Sequence, residues 1–149
     1  MRTGTSFARD WQLIKVARAL QRHDVTRPLV RELLVDAPPA LAEQVAAISG
    51  RLGEEDGRTL LTRSEEGFDP PTLMEGLLLM WGIPCEAKRA VGGGTVIILG
   101  DMAAVREAFV DERVAAPYLA GYARALQRDA VFKHAAGGRM TIRFPPRGE

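Results

Sequence analysis

The order of elements in the C-terminal half constrains the fold of this chain more than any other feature. Asp69-Pro70-Pro71 is a helix start, a cap residue followed by proline in the first turn, and the apolar helix it opens carries Leu73, Met74, Leu77, Leu78 and Trp81 before stopping at Gly82. Residues 84–91 and 95–99 follow as paired strands reversing on Gly92-Gly93-Gly94, which tolerate the positive φ angles of a tight turn. The first strand is half polar (Glu86, Lys88, Arg89), whereas the second is apolar throughout and should lie more centrally. Asp101 caps a helix carrying Met102, Val105 and Phe109. Another helix is expected to begin near Ala116-Pro117 and to carry Tyr118, Leu119, Tyr122 and Leu126. Residues 131–133 read as a strand and Gly137-Gly138 as a turn. Residues 140–144 read as a half-buried strand, with Met140, Ile142 and Phe144 alternating against Thr141 and Arg143. The expected class is α+β: an antiparallel sheet with helices packed on one face, preceded by a helical N-terminal segment.

That segment begins with a helix expected over residues 6–22. Leu13, Val16 and Leu20 form its apolar stripe, and Lys15, Arg18 and Arg22 share another face with Trp11. Asp24 and Thr26 are capping residues for a second helix over residues 28–35, with Leu29, Val30, Leu33 and Leu34 on one side. Pro38-Pro39 break it and open a third, in which Leu41, Val45, Ile48 and Leu52 recur at helical spacing. Gly50 and Gly53 weaken its end. Residues 54–62 either continue the helix or turn at Glu55-Asp56-Gly57, and residues 64–69 read as an exposed acidic loop. With no internal repeat, the chain reads as one domain over 1–149, a helical segment at 1–36 and an α+β core at 37–149.

Composition removes several classes of function. Apolar residues make up 46% and charged residues 26% of the chain, with a net charge of +1. No global field therefore draws it to nucleic acid or anionic lipid. A basic face of Lys15, Arg18, Arg22 and Arg27 remains the nucleic-acid alternative, without a helix-turn-helix to carry it. One cysteine, Cys85, excludes an internal disulfide and a cysteine-based zinc cage. Residues 1–10 lack the layout of a signal peptide, and the longest apolar run, residues 77–81, is far short of a bilayer span. These features lead us to expect a soluble, cytoplasmic protein without a membrane partner, metal or cofactor.

Few residues carry reactive chemistry. His23 sits in a turn beside Asp24. Cys85 and His134 could meet if their strands were neighbours, and a thiol nucleophile would then need an exposed, electropositive setting. The carboxylates at Glu54-Glu55-Asp56 and Glu65-Glu66 are sequence neighbours that point apart, which suits solvated charge better than acid–base catalysis. Glu86 and Lys88 share a strand face and can pair. The glycine run lacks the Gly-Lys-Ser/Thr of a phosphate loop and leads into a strand, which argues against a nucleotide site. A binding pocket needs apolar walls with a few polar groups. The candidates are Met80, Trp81, Cys85, Phe109, Tyr118, Tyr122 and Phe132; the two tyrosines, one helical turn apart, supply both wall and hydroxyl. Ordinary core packing is the competing account of the same residues.

Three stretches carry a family resemblance: Leu79-Met80-Trp81-Gly82 at the helix-to-strand junction, Ala115-Ala116-Pro117-Tyr118-Leu119-Ala120-Gly121 in a helix, and residues 134–144 at the close. Together with the glycine-bearing residues 53–61, they resemble the 4-vinyl-reductase-type small-molecule-binding domain, whose fold is shared with TRAPP vesicle-tethering subunits. The resemblance spans about residues 45–144. It implies a homodimer, a sheet with helices on one face, and an apolar pocket for hydrophobic or aromatic small molecules that controls a signalling or transcription partner. His134 and Ile142 stand where that family places cysteines, and Val131 where some members place an acidic ligand. The resemblance thus implies a member that has lost its metal.

The leading expectation is a non-enzymatic domain that dimerises and binds a small apolar ligand or a regulatory protein partner. The alternatives are an interaction scaffold without ligand, motivated by the broad apolar face of residues 73–81, and a small thiol-dependent enzyme using Cys85.

Overall fold

The computed structural model describes residues 11, 12, 15, 25–64, 67–135 and 138–148. The expected first helix, with its stripe of Leu13, Val16 and Leu20, lies outside those residues except at three positions, as do Arg18, Arg22, His23 and Asp24. Lys15 Nζ stands 5.8 Å from the centre of the Trp11 ring, the two sharing a face as their spacing requires. The chain divides into two compact units, residues 1–35 and 36–149. The first contains α1 (Thr26–Val35), in which Leu34 is buried while Leu29 and Leu33 are exposed.

The second unit is α+β. It contains α2 (Pro39–Arg63), α3 (Pro70–Met80), β1 (Glu86–Arg89), β2 (Thr95–Leu99), α4 (Met102–Phe109), α5 (Glu112–Leu126), β3 (Val131–His134) and β4 (Met140–Phe144). The strands form one antiparallel sheet in the order β1-β2-β4-β3. The apolar strands β2 and β4 take the centre, with Ile97 opposite Ile142 and Leu99 opposite Met140. Ile97, Leu99, Met140, Ile142 and Phe144 line the buried face, against which α3 and α5 pack. The other face carries Lys88 and Glu86, whose Nζ and Oε1 lie 3.1 Å apart. At the hairpin, Gly92, Gly93 and Gly94 all have φ between 80° and 91°. A Cβ on Gly94 would meet the Phe144 carbonyl oxygen at 2.2 Å, so the turn admits no side chain there.

Helix α3 begins and ends as its sequence requires. Asp69 accepts the Thr72 amide at 2.9 Å. At the other end Gly82 has φ +68°, the Gly82 amide donates to Leu79 and the Ile83 amide to Leu78, a Schellman close that buries Ile83 beneath the last turn. Leu73, Met74, Leu77 and Leu78 are buried, but Leu79 and Met80 are 80% and 72% exposed. The sheet covers only part of the broad apolar face.

The start of one helix differs most from expectation. Helix α5 begins at Glu112, not near Ala116, because Asp111 caps it: its carboxylate accepts the Arg113 amide and both Nε and Nη2 of the Arg113 guanidinium. Pro117, read as a first-turn residue, sits inside the helix. The break before α5 falls at Val110, which ends α4 with φ +73°.

Helix α2 runs unbroken through Gly50, Gly53 and Gly57, because the glycines are its contact with α5. A Cβ on Gly53 would lie 2.0 Å from the Tyr118 carbonyl oxygen, and one on Gly121 2.2 Å from that of Gly50. The face buried is thus the one bearing Ser49, Gly53 and Gly57. Ile48 and Leu52, which recur with Leu41 and Val45 at helical spacing, are exposed.

Candidate functional site

The glycine seam creates the site. Asp56 lies between Gly53 and Gly57 on α2, where the two backbones run close together. At that separation its short side chain reaches across to α5 and accepts a hydrogen bond from the Tyr118 hydroxyl. The carboxylate and the phenol are 62 residues apart in sequence. A longer crossing distance would leave them apart.

Four of the seven candidate residues come together beside this pair. Trp81 is the C-cap of α3, held by the Gly82 turn; Phe109 ends α4; Tyr118 and Tyr122 lie one turn apart on α5. Trp81 meets Phe109 edge-on, with ring centres 4.6 Å apart, and Tyr118 lies 5.3 Å from each. Tyr118 and Tyr122 stack at 6.1 Å. Pairs of this geometry add about 0.5–1.5 kcal/mol each beyond the area they bury.

An open groove runs along this cluster between α2, α3 and α5. Its apolar part, about 370 Å³, is lined by Leu60, Phe68, Leu73, Gly76, Leu77, Met80 and Tyr122, with Thr72. It adjoins a depression of about 260 Å³ that shares Leu60, Leu77, Met80 and Tyr122 and adds Asp56, Thr59, Arg63, Trp81 and Tyr118. Met80 lies at the meeting of the two. An apolar floor thus leads to a polar end with a carboxylate, two phenols and one guanidinium.

Burial pushes the Tyr118 phenol far above its ordinary value, helped by the hydrogen bond to Asp56 and that carboxylate's charge. Tyr122 is pushed up to about 12, first by burial and then by Asp56. Both hydroxyls therefore stay protonated at neutral pH, and Tyr118 stays a donor.

Cys85 and Phe132 stand apart from this cluster. Phe132 is half-buried on β3, opposite Ile142. Cys85 lines a separate depression of about 460 Å³ with Pro84, Glu86, Lys88, Ile98, Gly100, Asp101 and Arg139. Burial raises its thiol above the ordinary value and the Glu75 charge adds to this, so the thiolate a nucleophile requires is disfavoured. The Cys85–His134 proximity that neighbouring strands would allow does not arise. Cys85 adjoins β1 and His134 ends β3, the two edges of the sheet, about three strand spacings or on the order of 14 Å apart. His134 Nε2 instead lies 3.4 Å from Glu112 Oε2. Among the described residues, no three His, Cys, Asp or Glu side chains converge as a metal site would need, and no helix is long and apolar enough to cross a membrane.

The glycine spacing was the signal for Asp56. Small residues at positions 50, 53 and 57 mark one face of a helix for close approach, and Asp56 borders that face. Read as part of an acidic run, it looked like solvated charge.

No family model, characterised protein or solved structure matches this chain.

Proposed function

We propose that this chain is a non-enzymatic binding domain whose groove between α2, α3 and α5 receives a small apolar or aromatic molecule. The observation that supports it is the groove itself: a concave, largely apolar surface of about 370 Å³ that shares Leu60, Leu77, Met80 and Tyr122 with the depression holding the Asp56–Tyr118 pair. Ligand sites of this kind combine apolar walls with a few polar groups that fix orientation, in volumes of about 300–1,000 Å³. The homodimer and the signalling or transcription partner implied by the family resemblance belong to the same proposal. The exposed Leu79 and Met80 side chains offer apolar contact for either, and sedimentation as a single-chain species would count against the dimer.

A thermal-shift screen of apolar and aromatic compounds tests the binding. A ligand at a hundred times its dissociation constant adds about 2.7 kcal/mol, raising the melting temperature by roughly 5–10 °C. Gly76→Leu supplies the control. A Cβ at Gly76 meets no atom within 4 Å, and the residue lines the groove. A leucine there fills the site while the fold remains, so the shift should vanish. Equal shifts in both proteins, or none in either, would remove the groove as the binding site.

A further inference from the structure

The polar end of the groove carries information about the ligand beyond its apolar body. Asp56 Oδ2 accepts the Tyr118 hydroxyl, which leaves Oδ1 to a ligand group. Asp56 is exposed, so its charge faces the depression and not the protein interior. The rings of Trp81 and Tyr118 line the same depression, and electron-rich rings favour a cation over a neutral or anionic group. Tyr118 and Tyr122 both lie within the field of this carboxylate. Arg63 lines the far side of the depression, two helical turns on along α2. Seven residues at 1.5 Å each place its Cα about 10 Å from that of Asp56, roughly a Debye length at physiological salt. Its side chain is exposed, so its charge is weakened by solvent and salt.

Resting on the groove being a ligand site at all, we propose that its ligands are amphipathic amines, with the protonated amine at Asp56 beside Trp81 and Tyr118 and the apolar body over Leu60, Leu77 and Met80. An organic cation satisfies the carboxylate and the rings together, whereas a neutral molecule leaves the Asp56 charge uncompensated and a carboxylate opposes it.

Three molecules of one shape separate these cases: phenylpropylammonium, phenylpropanol and phenylpropanoate, titrated calorimetrically at physiological salt into the wild type and Asp56→Asn. The asparagine keeps the acceptor for Tyr118 and removes only the charge. In the wild type the ammonium should bind about tenfold tighter than the alcohol, the sum of an exposed charge pair and a ring contact. The carboxylate should bind most weakly, and Asp56→Asn should bring the ammonium and alcohol level. If ammonium and alcohol bind alike in the wild type, or the carboxylate binds best, the amine assignment is overturned while the apolar groove stands. If none of the three binds, the ligand-site reading fails and takes this inference with it.

Discussion

Replacing Gly53 with alanine is expected to destabilise the protein by about 2–3 kcal/mol, although alanine is the better helix former. The new Cβ would lie 2.0 Å from the Tyr118 carbonyl oxygen and 2.9 Å from its carbon, both backbone atoms of α5 that cannot rotate away. The helices must separate, which strains the packing beneath both. The same substitution at Gly76 has the opposite sign. That Cβ meets nothing within 4 Å, so alanine gains about 0.5–1 kcal/mol by restricting the unfolded chain and favouring helix. Urea denaturation of the two variants, compared at equal slope, reads both effects. If Gly53→Ala stabilised the protein as Gly76→Ala should, α2 and α5 would not be in close contact. Gly121, whose Cβ would approach the Gly50 carbonyl oxygen at 2.2 Å, should behave like Gly53.

The second large effect is on tyrosine ionisation. The chain has two tyrosines, Tyr118 and Tyr122, so its phenolate absorbance reports the candidate site alone. In the folded protein that absorbance should be almost absent at pH 10, the ordinary midpoint, with Tyr122 titrating at about 12 and Tyr118 later still. In denaturant both should titrate near 10. The linkage has a definite sign. A phenol raised in the folded state contributes stability that is complete below about pH 10, the unfolded value, and is lost as pH rises through the folded value of about 12. Tyr122→Phe should flatten that alkaline loss. Asp56→Asn should lower both midpoints only part of the way, because burial is the larger cause and the carboxylate the smaller. A midpoint of 10 in the folded wild type would mean that the two phenols are solvated. Gly53→Ala should also move the Tyr118 midpoint down, since separating the helices withdraws Asp56.

Strands and caps were legible because their signals are local. Alternation in residues 140–144 placed Met140, Ile142 and Phe144 on the buried face, and the unbroken apolar run 95–99 predicted a central strand. Gly82, Asp69 and Asp101 mark helix ends through backbone geometry and single hydrogen bonds. Structure departs from local preference where tertiary contact overrides it. Glycines in a helix read as weakness in α2, yet they let it lie against α5. The Leu41, Val45, Ile48, Leu52 repeat marks the helix but not its contact face, which carries Ser49, Gly53 and Gly57. Pro117 read as a helix start because proline is favoured there, but the Asp111 cap begins the helix a turn and more earlier. Pocket residues grouped by type divided in space: Trp81, Phe109, Tyr118 and Tyr122 converge, while Cys85 precedes β1 and Phe132 lies on β3, the two edges of the sheet, an arrangement that depends on strand order.

Occupation of the groove decides the proposed function, and the methionine methyl groups report it by position. Met80 stands exposed where the two parts of the groove meet, whereas Met74 and Met140 are fully buried in the core and Met102 lies on α4. In protein labelled at the methionine methyls, titration with phenylpropanol should shift the Met80 resonance progressively and saturably, leave Met102 and Met140 in place, and have no effect on Gly76→Leu. An unmoved Met80 resonance at saturating phenylpropanol, or a saturable shift confined to Met102 or Met140, would contradict the groove as the binding site.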